Sequence, residues 1–377
     1  MQTEQIIFET LPGWSNASAT SVPDADLVLL IGGREEFGTA SFFESIRERY
    51  PSAAIVSITA PDVIAGTTLI EKGGAATAIK FDSSRVAAVE EGIKSASASE
   101  EVGATLGQRL DPAGLRHVLV FSEGINVNGT GLVRGLAKTL PRGTTITGGL
   151  ASDGAAFEQT KVGLNSTPTA NRAVAVGLYG AALSVGMGSL GGWEPFGNEM
   201  VVTRSEGNVL FELDGEAALS VYKRVLGPRS FALPASGLLF PLEIRSTSGK
   251  EVRTRTLLAV DELAGSVTFA GDVPQGFRAR LMQANLDRLI DAAGTAAENA
   301  SANDSAPDFV LLVSCIGRKL LLQLRTAEEI ENARNIFGPR ACVAGFYSYG
   351  EVSPLNPSVA CELHNQTMTI TTISERR

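Results

Sequence analysis

The sequence predicts an α/β fold: repeated strand-helix-strand units around mixed sheets, with a β-rich middle. Three observations carry this. Short apolar runs recur at "LVLLIGG" from Leu27, "HVLVFSEG" from His117 and "FVLLVSCIG" from Phe309, each closed by glycine. Each run leads to an amphipathic stretch and then to a second apolar run, and the region between the second and third copies is rich in Val, Thr and Gly-bearing turns. Strands that are apolar on both faces need helices to cover them, which is the arrangement of parallel sheets.

In the first unit "SFFESIRERYP" is the helix, with Ser41 and Glu44 at capping-box spacing, and "AAIVSIT" is the second strand. In the second, a Gly/Asn loop leads to "GLVRGLAKTLP", where Leu132, Val133, Leu136 and Leu140 share a face, and then to "TTITGGLASDG". In the third, "RTAEEIENARNIFGPR" carries Thr326 and Glu329 as a second capping box, with Ile330, Ala333 and Phe337 inward and Gly338-Pro339 as the stop. "ACVAGFYSYGEV" follows. The shared plan suggests duplication.

Between copies two and three, "TKVGLN", "RAVAVGLYG", "EMVVTRSEG", "GLLFPLEIRS", "VRTRTLLAVDE" and "GSVTFAGDV" read as strands. "EAALSVYKRVLGP" reads as a helix, and a longer helix is predicted over Arg278 to Ala293, with Met282, Leu286, Leu289, Ile290 and Ala293 on one stripe. "TAAENASANDSAPD" then reads as a surface loop, and "KSASASEEVG" as a loop or a helix start. The change from strand-like to helical sequence falls near Asp214 to Ala217.

Composition removes several function classes. At 377 residues the chain exceeds a typical single domain, and 44% apolar against 19% charged residues is a globular composition. A net charge of −9 without clustered Lys and Arg argues against nucleic acid. Cys315, Cys342 and Cys361 have no zinc or disulfide spacing, which fits a reducing compartment. The N-terminus has no secretory signal pattern. The uncharged stretch from Ala173 to Trp193 is long enough to cross a bilayer, but its six glycines and period of two favour two buried strands. The expectation is a cytoplasmic protein with neither membrane nor nucleic-acid partner.

The chemistry is sparse. "SEGINVNGTGLVRG" has glycines but not a dinucleotide fingerprint, and neither a phosphate loop nor G-x-S-x-G is present. A nucleophile would have to be Cys315 or Ser314 with His117 or His364 as base, so the expectation is no enzyme. "SLGGWEPFG" could wall a pocket through Trp193 and Phe196 or plug the core. "GFYSYGEVSP" sets Tyr347 and Tyr349 beside Glu351 after a strand, where α/β sheets place ligands. The predicted ligand site is Ser314, Arg318, Tyr347, Tyr349, Glu351, His364 and Asn365. Arg318 would clamp a ligand carboxylate and Glu351 an amine, which suits an amino acid. In "CELHNQTMTI", His364 is either a pocket residue or a hydrogen-bonding group that closes the last strand.

Nine stretches in order, "GGLASDG", "VAVGLYG", "SLGGWEPFG", "VTRSEGNVLFELDGEAALSVYKRVLG", "FAGDVPQG", "ARLMQANLDRLIDAA", "FVLLVSCIGRKLLL", "GFYSYGEVSP" and "CELHNQTMTITT", resemble the FIST family (F-box and intracellular signal transduction proteins). The resemblance implies a FIST N-terminal domain over 25–215, a FIST C-terminal domain over 216–362, and a terminal strand and tail over 363–377. It implies a cytoplasmic sensory module for a small ligand, coupled to a histidine kinase, a cyclic-dinucleotide enzyme or a chemotaxis transducer. No sequence is left over for such an output domain, so the expectation is a stand-alone module with a separate partner and no cofactor. A branch of the family is described as haem-binding nitric-oxide sensors. The alternative is therefore a haem sensor regulating its partner, with His364 as the axial ligand. Ser152 in "GGLASDG" stands where the family pattern has glycine.

Overall fold

The computed structural model describes all residues except 10–12, 17–19, 250–251, 302–305, 355–360 and 377. The three predicted units are present, and each forms a parallel pair. The first comprises β1 (Gln2–Glu9), β2 (Leu27–Gly32), α1 (Ala40–Arg49), β3 (Ala54–Thr59), β4 (Val63–Ala65) and β5 (Gly74–Lys80). The second comprises β6 (Arg85–Gly92), α2 (Ser99–Arg109), β7 (Leu115–Ser122), α3 (Gly129–Thr139), β8 (Thr145–Leu150), β9 (Val162–Leu164) and β10 (Arg172–Tyr179). The third opens with β11 (Leu183–Leu190). After an inserted unit it resumes with α4 (Leu286–Ser301), β12 (Phe309–Cys315), α5 (Ile316–Leu322), α6 (Thr326–Phe337), β13 (Cys342–Ser348), β14 (Glu351–Ser353), β15 (Glu362–His364) and β16 (Met368–Glu375).

The sheets follow one plan. In each unit the first apolar strand is central, with its parallel partner on one side and an antiparallel strand on the other: β3-β2-β5, β8-β7-β10 and β13-β12-β16. The strand that opens each unit, β1, β6 or β11, pairs antiparallel beyond that. The short strand after each parallel pair leaves for another unit. β4 pairs with β13 of the third unit, β9 with β3 of the first, and β14 with β8 of the second. The exchange is a closed cycle, so no unit's sheet is complete alone.

Ser152 sits where the cycle closes. Its backbone N–H donates to Thr59 O of the first unit at 2.9 Å, and its Oγ donates to Tyr347 O of the third at 2.5 Å. A glycine there would keep the first bond and lose the second. The apolar core is continuous across the units, with Ile64, Val120 and Leu312 in one cluster.

The inserted unit runs from the Glu194–Glu206 strand to the Arg278–Gln283 strand as a curled antiparallel sheet with its own core around Leu210, Tyr222, Phe240 and Phe269. Asp214 to Ala217 lies inside it, where Glu216–Ala217 pairs with Val209–Leu213 and leads into the helix Ala218–Leu226. The expected terminal strand is β16, buried between β11 and β12.

Several local expectations are corrected. Arg278 to Gln283 is strand, and the helix that follows runs from Leu286 to Ser301, through the first half of the predicted loop. Residues 302–305 of that loop lie outside the described residues. Neither capping box forms. α1 starts after Thr39 and α6 after Arg325, both without a side-chain cap. "KSASASEEVG" is a helix start, a short 3-10 turn leading into α2. The Ala173 to Trp193 stretch is two strands, β10 and β11, in different sheets, and among the described residues no helix is long and apolar enough to cross a membrane.

Candidate functional site

The predicted site residues fall into three separate places. Ser314, Arg318 and Tyr347 converge on Glu329 of α6. Ser314 Oγ and Tyr347 OH donate to its Oε1 at 3.0 and 2.8 Å, while Arg318 Nε and Nη2 donate to its Oε2 at 2.9 and 2.6 Å. Arg318 also donates to the carbonyls of Gly191 and Leu289, at 2.5 and 2.7 Å. All four side chains are fully buried. Arg318 is therefore not a free clamp for a ligand carboxylate, because an internal carboxylate already occupies its fork. Glu329, expected as a capping residue, is its counter-ion.

Glu351, at the start of β14, forms no ion pair among the described residues. It is fully buried and accepts from Ser348 Oγ at 2.7 Å, Thr367 Oγ1 at 3.0 Å and Thr367 N at 3.2 Å. Burial pushes its carboxyl up to about 8, against the smaller lowering by these hydrogen bonds. The folded state therefore holds a proton that the unfolded chain releases above about pH 4.5. Stability from this site is full below that pH and is lost as pH rises through about 8. Glu351→Gln mimics the protonated form, so the difference in urea-unfolding stability between variant and wild type should grow in the variant's favour as pH rises from 5 to 8, with a gain on the order of 2 kcal/mol at pH 8. Parallel pH profiles would contradict this.

His364 is buried opposite Glu351 in the β14–β15 ladder, and its Nε2 donates to Ser353 O at 2.8 Å. Burial lowers its pKa to about 4, so it is held neutral. The other histidine, His117, is buried in β7 and bonded through both ring nitrogens to Thr145 and Thr147. Haem needs an imidazole nitrogen presented to an open apolar cavity. His364 lines neither of the two larger cavities, and its Nε2 is already engaged, so this geometry does not fit axial ligation. Among the described residues, no group of three or more His, Cys, Asp or Glu could hold a metal ion. Asn365 is buried too, its amide donating to Tyr349 O at 3.3 Å. Cys315 is buried with its thiol pKa pushed up by desolvation, which makes it a poor nucleophile. Trp193 belongs to the fold: its indole donates to Gln366 O at 2.7 Å while its ring packs beside Leu289 and Ile290.

Of the seven residues, Tyr349 is the one that lines either of the two larger cavities among the described residues. Its cleft, of about 470 Å³, opens where β7, β8 and β13 end and meet the inserted unit. Its walls are Ala96 and Ser97 before α2, Gly124, Ile125, Val127 and Asn128 after β7, Leu150 at the end of β8, Tyr349 and Phe157, and on the far side Asn208, Leu258 and Phe269 to Gly271. The position follows the rule that α/β sheets bind ligands at the carboxyl edges of their strands. Phe157 stacks on Tyr349 at 4.5 Å with 7° between the planes, and its φ of 54° is a conformation that side chains seldom adopt. Asp153 holds it there, accepting from the N–H groups of Phe157, Glu158 and Gln159 at 2.8 to 2.9 Å.

One corner of the cleft favours negative charge. Asn128 caps α3, accepting from Gly131 N at 3.0 Å, and the helix dipole points its positive end there. Behind Gly271 lies Arg255, with Cζ 3.1 Å from where a β-carbon on that glycine would stand. This fully buried guanidinium donates to the carbonyls of Asp272, Leu363 and Thr254 at 2.9, 3.2 and 3.3 Å. Of the nearby acids, Glu362 pairs with Arg253, while Asp272 pairs with Arg134 and also accepts from Asn128 Nδ2 at 3.1 Å, so one internal carboxylate already lies at this corner. Thr130 Oγ1, also against Gly271, is buried without a hydrogen-bond partner among the described residues. Asn128, Phe157, Asn208, Arg255 and Gly271 were not predicted as site residues.

The cavity is thus bounded by shared strand ends on one side and by the inserted sheet on the other. The model of the FIST N domain matches residues 26–216, and that of the FIST C domain matches residues 218–354. The chain belongs to the FIST family, whose domains are sensory modules of signal transduction. No curated protein matches it.

Proposed function

We propose that this chain is a cytoplasmic sensor that binds a small carboxylate-bearing molecule of amino-acid size in the cleft at Tyr349 and signals through a partner protein. A histidine kinase, a cyclic-dinucleotide enzyme or a chemotaxis transducer would suit that role. The observation that carries this reading is that one cleft draws its walls from both family parts, with the capped end of α3 and the buried Arg255 guanidinium at one corner. A ligand there touches both sides at once, so occupancy can bias how the inserted unit sits on the shared sheets. The cleft volume lies within the range of about 300 to 1,000 Å³ usual for small-molecule sites.

Thermal shift with the amino acids and their N-acetyl derivatives tests it. A ligand at one hundred times its Kd adds about 2.7 kcal/mol, which should raise Tm by several degrees. Ala96→Trp, on the exposed rim, should abolish the rise while leaving the ligand-free Tm unchanged. Absence of any shift at millimolar concentration would count against the reading. For haem, the engaged Nε2 predicts no Soret band that depends on His364; a band lost in His364→Ala would restore the gas-sensor alternative.

A further inference from the structure

A second cavity, of about 650 Å³, adjoins the first and is more uniformly apolar. Its walls include Leu233, Leu238, Leu239 and Leu257 of the inserted unit and Leu320 of α5. Ser236 is the one lining residue with a side-chain hydrogen-bonding group; it is 8% exposed, and its Oγ has no partner among the described residues. Phe157 and Leu258 are the residues common to both cavities, so the two spaces meet at these side chains.

We infer that the second cavity holds the aliphatic chain of an amphiphile whose carboxylate end lies in the first, so that the sensed class is acylated small acids rather than free amino acids. The inference rests on the first cleft being the ligand site. Three features argue for one extended ligand. An aliphatic wall with a single hydroxyl offers a polar molecule almost nothing, while each methylene moved onto it from water gains about fourfold in affinity. The volume is ample for a chain and falls in the range of real ligand sites. The seam at Phe157 and Leu258 consists of apolar side chains, 39% and 40% exposed, so a chain crossing it covers surface that is otherwise wet. Phe157 would separate the head from the tail while stacked on Tyr349.

Calorimetry with N-acetylglycine and N-decanoylglycine on the full chain tests this. N-decanoylglycine should bind at least about tenfold more tightly than N-acetylglycine. Leu320→Gln, which places an amide in the apolar wall, should remove that gain and leave N-acetylglycine binding intact. Ala155→Trp, at an exposed position on the same rim, should do the same and guards against misfolding of the first variant. Equal affinities for the two compounds, or a chain-length gain that survives both variants, would overturn the inference. If both variants abolish decanoyl binding but Ala96→Trp leaves it untouched, the head does not lie in the first cleft, and the joined ligand fails together with the reading beneath it. If N-acetylglycine binds and Ala96→Trp blocks it while the chain adds nothing, the chain site alone fails.

Discussion

Replacing Glu329 by alanine is expected to cost about 4 kcal/mol, because it strands a fully buried guanidinium without its counter-ion. Arg318 Nη2 and Glu329 Oε2 are 2.6 Å apart, and both side chains are at 0% exposure. The same substitution removes the acceptor of Ser314 Oγ and Tyr347 OH, each then a buried donor without its carboxylate. Glu329→Gln keeps one oxygen and should lose less. Arg318→Met with Glu329→Leu removes both charges and should lose less than Glu329→Ala, because no buried charge is stranded and only neutral groups, Ser314 Oγ, Tyr347 OH and the carbonyls of Gly191 and Leu289, are left without these partners. Urea unfolding of the four proteins decides the matter. A loss under about 1 kcal/mol for Glu329→Ala would mean that water reaches Arg318 and the cluster is not sealed.

The three strand-helix-strand units were legible because buried parallel strands read as unbroken apolar runs, and "LVLLIG" and "FVLLVSC" admit little else. The exchange of β4, β9 and β14 was not, since strands of three residues carry no periodicity and their partners lie far away in sequence. The helix predicted from Arg278 failed because Met282 falls into the stripe of Leu286, Leu289 and Ile290 by coincidence of spacing. A signal did exist: Asn285 Oδ1 accepts from the N–H groups of Asp287 and Arg288 at 3.2 and 3.3 Å, marking the true start. Glu329 was misread for a related reason. T-x-x-E spacing is satisfied equally by a cap and by an inward carboxylate, and only the fold brings Arg318 to it.

The cleft was partly legible. Tyr349 follows an apolar strand and was found on that ground, whereas Asn208, Phe269 and Gly271 belong to a sheet whose position against β7 and β8 no local pattern encodes. Arg255 reads in sequence as one of two arginines on an alternating strand. Its burial is a property of the assembled fold.

The glycines of β11 set the second large expectation, a loss on the order of 3 kcal/mol for Gly186→Ala or Gly188→Ala. Here α4 lies directly on the strand. A β-carbon on Gly186 would stand 1.8 Å from Ala300 O, and one on Gly188 would stand 1.9 Å from Ala296 O. Both obstacles are backbone atoms, so no rotamer change relieves them and the helix itself must lift. The matching face of α4 is alanine, with Ala292, Ala293, Ala296, Ala297 and Ala300 all nearly inaccessible to solvent. Ala300 O further accepts from Thr372 Oγ1 of β16 at 3.1 Å, a bond that lifting would break. Neither glycine has a positive φ, so the penalty is one of space rather than backbone strain, and serine should fare no better than alanine. Trimming the facing side chain by Ala296→Gly should not rescue Gly188→Ala, because the clash is with the carbonyl oxygen. Unfolding of the single and double variants checks this, and a rescue by Ala296→Gly would show that helix and strand are held apart by side chains rather than by backbone contact.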